Sequence, residues 1–240
     1  SVTEMGDRAF RDCQDLSSVL FETSSTIRSF GAFIFFRAGL TAVTIPKSIT
    51  AIYYNAFGEC TALSNVSFAN NSTINFIGER AFYKAGINAL SIPKSVTAIY
   101  DYAFYECTSL TSLSFESGSL LESFGNSSFY KTYFDSIVIP KSVKFIEDSA
   151  FKECTNITSL TFEPYSQLEI LGASAFDGTH GYYNINIPSS VQSIGDKAFY
   201  SCSSLTLVEF GYNSNLTFIG DDAFKTYSAS SSPTASPLRL

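Results

Sequence analysis

The sequence predicts an α/β repeat solenoid of about ten repeats, stacked as five double repeats of roughly 47 residues. Three observations carry this. An Ala-Phe pair recurs at fixed spacing, apolar and polar residues alternate near the end of each unit, and five cysteines share one register.

The phenylalanine of the pair falls at Phe10, Phe57, Phe104, Phe151 and Phe199, and in a second series at Phe35, Phe82, Phe129, Phe176 and Phe224. Each series steps by 47, 47, 47 and 48 residues. Ala32-Phe33 breaks this spacing. Aligning Phe35-Phe36-Arg37-Ala38-Gly39-Leu40 with Phe82-Tyr83-Lys84-Ala85-Gly86-Ile87 restores it, with Ile34 in the place of alanine. Odd units read A-F-x-x-C-x-x-L-x-x-L-x-F, as in Ala103, Phe104, Cys107, Leu110, Leu113 and Phe115. Even units end in L-x-x-V-x-I-P, as in Leu40, Val43, Ile45 and Pro46, followed by K-S-V-x-x-I, as in Lys94, Ser95, Val96 and Ile99. Ser1-Val2 matches the start of that return segment, so the sequence is expected to begin inside a repeat.

Each element follows from its spacing. Leu113 and Phe115 point one way and Ser112 and Ser114 the other, the period of a strand with one buried face. Ile99, Ala103, Phe104 and Cys107 share one face of a helix of about two turns. A unit is therefore expected to be a strand, a loop, a return segment and a short helix. No unit buries its apolar face alone, so neighbours stack and their strands form a parallel sheet, at about 4.8 Å per strand. The core then has ladders: Phe21, Phe68, Phe115, Phe162 and Phe210 alternating with Ile45, Ile92, Ile139 and Ile187, and the ten Ala-Phe rings as a second spine. Residues 1–227 are assigned to the solenoid, and the Ser/Pro-rich stretch 228–240 to a linker or disordered tail.

The cysteines, Cys13, Cys60, Cys107, Cys154 and Cys202, stand two units apart, about 10 Å. A disulfide needs Cα atoms within about 7 Å, so no neighbouring pair bridges. They read as buried, free, small apolar residues rather than as a metal or redox cluster.

The blocks A-F-x-x-C-x-x-L and I-P-x-S-V-x-x-I, seen at Ile92–Val96 and Ile139–Val143, resemble the BspA-like (Treponema-type) leucine-rich repeats. The first block carries Ile49 for valine and the fourth reads Ile187-Pro188-Ser189-Ser190-Val191. The resemblance covers residues 1–224. It departs in its regular use of phenylalanine for leucine and in its strict odd/even alternation. The resemblance implies a right-handed horseshoe or rod, with the parallel sheet on the concave face and short helices on the convex face. It also implies a cell-surface or secreted location and a role in adhesion to host or matrix proteins or in cell–cell contact.

Composition narrows the function. The net charge is -7 and the pI about 4.7, which argues against nucleic acid and anionic membranes, both of which attract clustered Lys and Arg. No apolar run reaches the roughly 18 residues of a membrane span. The sequence lacks a P-loop, G-x-S-x-G, H-E-x-x-H and G-x-G-x-x-G. Its single histidine, His180, reads as a solvated loop side chain. Repeats supply rows of like residues, whereas catalysis needs unlike residues converging. No enzyme activity, cofactor or metal is therefore expected.

The rows themselves are candidates for contact. Asp12, Glu59, Glu106 and Glu153 precede cysteines, Arg37, Lys84 and Lys131 follow the aromatic pair, and Lys47, Lys94 and Lys141 follow proline. These read as a solvated edge that keeps the rod soluble. The outward strand positions form the candidate ligand-binding face: Ser18, Thr44, Asn65, Ser67, Ser91, Ser112, Ser114, Ser136, Ser159, Thr161, Asn184 and Asn186, with Leu20, Val138 and Leu207 as apolar exceptions. This surface is small and polar, short of the Trp, Tyr and Arg that anchor tight protein contacts. It suits a weak, multivalent or glycan-directed contact. N-x-S/T acceptor patterns occur at Asn65, Asn70, Asn71, Asn126, Asn156 and Asn215. The expected partner is a protein or glycan on a host cell, matrix or another cell, with no membrane contact by this segment. A structural spacer or variable coat, or an intracellular scaffold, are the alternatives.

Overall fold

A computed structural model describes residues 2–226; the stretch 228–240 lies outside them. The chain winds as a parallel β-solenoid of about nine turns, since the ten Ala-Phe rings bound nine circuits. Each turn contributes two strands to two different sheets. Four-residue strands run at Ala42–Ile45, Asn65–Phe68, Ala89–Ile92, Ser112–Phe115, Ser136–Ile139, Ser159–Phe162, Asn184–Ile187 and Leu207–Phe210. Two-residue strands follow them, among them Ala51–Ile52, Phe76–Ile77, Ala98–Ile99 and Ser123–Phe124. All pairings are parallel, for example Leu90 with Leu113 and Ile77 with Ile99.

The alternation in the long strands behaves as its period demands. In Ser112–Phe115, Leu113 is buried and Ser112 and Ser114 are exposed. The isoleucines Ile45, Ile92, Ile139 and Ile187 are fully buried, while the bulkier Phe68, Phe115, Phe162 and Phe210 are half-covered and pack against the core.

The return segment forms a second sheet. Its strands, from Ala51–Ile52 to Phe218–Ile219, form one continuous eight-stranded ladder. The long-strand face is instead divided into ladders of four, two and two strands. The division falls at two of the three proline junctions, while the Pro93 junction keeps a link between Asn65 and Ala89. Where an odd unit follows an even one, Ala69, Glu116, Glu163 and Gly211 donate N–H to Ile45, Ile92, Ile139 and Ile187 at 2.9–3.0 Å. In the next unit the same position is Pro93, Pro140 or Pro188, which has no N–H to give. Each such junction loses a ladder bond, and no ladder links Ser112–Phe115 to Ser136–Ile139 or Ser159–Phe162 to Asn184–Ile187.

The expected short helices are absent among the described residues. The Ala-Phe segments are corners built of consecutive turns. Two residues four apart take the left-handed conformation in nine of the ten corners: Tyr102 and Glu106 at φ 56° and 51°, Arg80 and Lys84 at 54°, Ser149 and Glu153 at 57° and 58°. A right-handed helix cannot continue through them. Alternate amides close local turns, as Tyr105 N–H does to Tyr102 C=O (3.1 Å), while those between reach the next coil. Tyr102, Phe104 and Glu106 donate to Asn126, Ser128 and Tyr130 at 2.9, 2.7 and 2.8 Å. Spacing explains the choice. Helix axes pack about 8–10 Å apart, twice the strand separation of about 4.8 Å, whereas stacked turns keep step with the strands on both faces.

The phenylalanine spine sits inside these corners. From Phe10 to Phe224 the ten rings form one stack, with centroids 4.9–5.4 Å apart and planes within 19° of parallel. Phe35 to Phe199 in this stack are completely buried. Each contributes roughly 1.5–3 kcal/mol of transfer free energy, and each stacked pair about 0.5–1.5 kcal/mol more.

Candidate functional site

Two surfaces run the length of the solenoid, the corner face and the long-strand face. The outward side of the corners carries the charged rows, and the fold interleaves them. Arg37 pairs with Glu59 (2.8 Å), Lys84 with Glu106 (3.3 Å) and Lys131 with Glu153 (3.4 Å). These residues occupy the second left-handed position of successive corners, so cation and carboxylate alternate at one coil's spacing. Glu106 holds Lys84 above the usual lysine range by hydrogen bonding to it. Beside this ladder Tyr83, Tyr105 and Tyr130 stack at 5.3 and 4.7 Å, with Arg80 and Lys84 over Tyr83 and Lys131 over Tyr130. The corner face thus satisfies its own charges and ring faces. Phe33, out of register in the sequence, takes a left-handed corner position at φ 55° and is covered by Arg8 and Arg11.

A further ladder has no counterpart in the sequence reading. Asp7, Asp101, Asp148 and Asp196 accept the N–H of Ala32, Asn126, Ala173 and Asp221 in the following coil at 2.7–2.9 Å. The preceding residue is glycine each time. A Cβ on Gly125 would lie 2.7 Å from the Asp101 backbone nitrogen, so only glycine lets the carboxylate cap close. The recurring I-G, F-G and L-G dipeptides were its visible signal.

Four cysteines, Cys60, Cys107, Cys154 and Cys202, are buried and Cys13 is exposed; all five are free. Their thiols donate to the carbonyl of the previous corner: Cys60 to Phe35, Cys107 to Phe82 and Cys154 to Phe129, at 2.9–3.0 Å. Burial pushes these three thiols up to about 12, which leaves them protonated and unreactive at neutral pH. Among the described residues no three His, Cys, Asp or Glu side chains gather as a metal site. His180 hydrogen-bonds Ser203, at 3.4 Å. Among the described residues no helix is long and apolar enough to cross a membrane.

The long-strand face is different. Ser18, Thr44, Asn65, Ser67, Ser91, Ser112, Ser114, Ser136, Ser159, Thr161, Asn184 and Asn186 are all exposed. Among the described residues their side chains make two hydrogen bonds to protein, Thr44 to Ser67 (2.9 Å) and Ser136 to Asp135 (3.0 Å). The face is therefore a field of unengaged hydroxyls and amides. Leu20 and Val138 stand out of it, 93% and 54% exposed. It dips at two places. One depression of about 310 Å³ lies over Ser18, Leu20, Thr44, Asn65 and Ser67. The other, about 520 Å³, lies between Ser159–Phe162 and Asn184–Ile187. Of the acceptor patterns, Asn65, Asn70, Asn71, Asn156 and Asn215 are exposed. Asn126 is half-buried, with Nδ2 donating to Asp101 at 3.2 Å.

A stack of parallel coils carrying a polar strand face along its length is the build of a repeat protein that presents an extended surface. The sequence matches the model of the BspA-type leucine-rich repeat region in six copies, over residues 1–111, 75–206 and 122–236. The chain belongs to that family. Comparison with curated proteins returns no match. Among solved structures it is similar to a leucine-rich repeat protein from Bacteroides ovatus, at 22% identity and TM-score 0.54, over 91% of this chain and 66% of that one. It is also similar to the pneumococcal vaccine antigen PcpA, at 18% and 0.59, over 92% and 64%. The T. pallidum leucine-rich repeat protein aligns at 21% and 0.50, over 75% and 73%. At such identities the likeness is one of fold. The chain spans less than two thirds of the length of the first two.

Proposed function

We propose that this chain is a non-enzymatic recognition module of a secreted or cell-surface protein. It binds a protein or glycan of a host cell, matrix or neighbouring cell through its long-strand face. The observation that carries this is the contrast between faces: the corner pairs its charges internally, while the strand face leaves its polar groups open. Outward serines and asparagines repeat at strand spacing and so offer a weak contact many times over, which suits multivalent binding. The membership of the BspA-type family and the likeness to a vaccine antigen support a surface location.

The test is an array of matrix proteins and glycans, probed with the native chain and with the Ser112→Lys/Ser114→Lys variant. Both positions are exposed, so the fold is retained. Saturable binding by the native chain that the variant loses supports the reading. Absence of saturable binding by either leaves a spacer or coat in its place.

A further inference from the structure

The larger depression on the strand face is a defined site rather than more of the same surface. It opens at a joint that two features loosen. Pro188 removes a ladder bond there, and no ladder links the flanking long strands. These start at Ser159 and Asn184, a step of 25 residues where the preceding proline joint, Ser112 to Ser136, takes 24. The extra residue lies in the stretch holding Gly178–Gly181. The backbone does not fill the gap, and about 520 Å³ stays open, within the range of small-ligand clefts.

The lining is chemically selective. Asn184 and Asn186 each present an amide with donors and an acceptor, Thr161 adds a hydroxyl, and Glu163 and Glu209 add carboxylates. Glu163 uses Oε2 on the Lys141 N–H (2.9 Å). No Lys or Arg lines the groove among the described residues. Tyr165 stands at its rim, 93% exposed, held outward by a left-handed backbone at φ 62°. Amides and carboxylates beside a free aromatic ring match a pyranose, whose edge carries both donors and acceptors and whose face is apolar. The two carboxylates repel sialylated or sulfated chains. An apolar peptide would leave the amides unpaired.

Resting on the strand-face reading above, we infer that this groove binds an uncharged oligosaccharide, with Asn184, Asn186 and Glu209 on its hydroxyls and Tyr165 against a ring face. Saturation-transfer NMR with the full chain tests this. The probes are maltotetraose, chitotriose and mannotriose, beside sialyllactose, a heparin tetrasaccharide and a tetralysine peptide. Saturable binding of at least one neutral sugar is expected, weakened about tenfold by Asn186→Ala and by Tyr165→Asn, a residue that tolerates the left-handed conformation. Glu106→Lys, on the corner face, should leave it unchanged. Binding only of the anionic sugars or of tetralysine overturns the inference, as does neutral-sugar binding that both groove variants retain. Matrix binding on the array without any neutral-sugar binding here overturns the inference and leaves the strand-face reading standing. Silence in both experiments overturns both.

Discussion

The corner face and the long-strand face are built from the same coils at the same spacing, yet they spend their side chains in opposite ways. On the corners a charge meets its opposite one coil away, Arg37 with Glu59 and Lys84 with Glu106, and tyrosines stack on one another. On the strands, like small polar residues line up, and among the described residues only Thr44 with Ser67 and Ser136 with Asp135 hydrogen-bond to protein through these side chains. A repeat of two unlike units explains the corner: even and odd coils supply opposite charges, which pair as Arg37–Glu59, Lys84–Glu106 and Lys131–Glu153. On the strand face both units supply Ser, Thr or Asn, and the complement has to come from outside.

The comparison breaks most severely in the corner interior. Phe104→Ala removes one ring from the buried stack between Phe82 and Phe129 and is expected to cost about 3–5 kcal/mol. Ser112→Lys on the strand face should stay within about 0.5 kcal/mol. Urea titration of the two variants checks the contrast.

A second effect comes from the thiols. A group whose pKa is higher in the folded chain keeps its proton when folded and loses it first when unfolded, so alkali favours unfolding. With Cys60, Cys107 and Cys154 raised from 9.0 to about 12, their contribution is complete below about pH 9 and is lost on the way to pH 12. Denaturation midpoints should fall across that window, and Cys107→Ala should flatten the fall. In the native state at pH 8, a thiol reagent should modify Cys13 alone.

A smaller effect has the opposite sign. Ser128 stands where most other corners have alanine, is fully buried, and its hydroxyl has no hydrogen-bond partner among the described residues. Ser128→Ala should stabilise the chain by about 1 kcal/mol, read as a rise in the urea midpoint.

Much of this division was legible in the residues. The 47-residue step, the inward Leu113 and Phe115, the unbridged cysteines and the outward serines all follow from periodicity. The corner conformation did not. Ile99, Ala103, Phe104 and Cys107 fit a helical face, and nothing local forbids a helix at Tyr102 or Glu106. The left-handed residues exist because amides bond across coils, a tertiary effect that propensity does not contain. One signal was available: ten phenylalanines in one register stack only if the corners are about 5 Å apart, too close for helices. The charge rows were visible singly, but their interleaving needed the phase between odd and even units in space. The groove depended on one inserted residue and on what Pro188 withholds from the preceding strand.

The central claim is that the strand face, not the corner, is the surface open to a partner. Affinity for whichever array component the native chain binds tests it most directly, measured for Ser112→Lys/Ser114→Lys on the strands and Glu106→Lys on the corners. Loss of binding with the strand variant and native affinity with Glu106→Lys are expected. Loss with Glu106→Lys while the strand variant binds as the native chain does would contradict it.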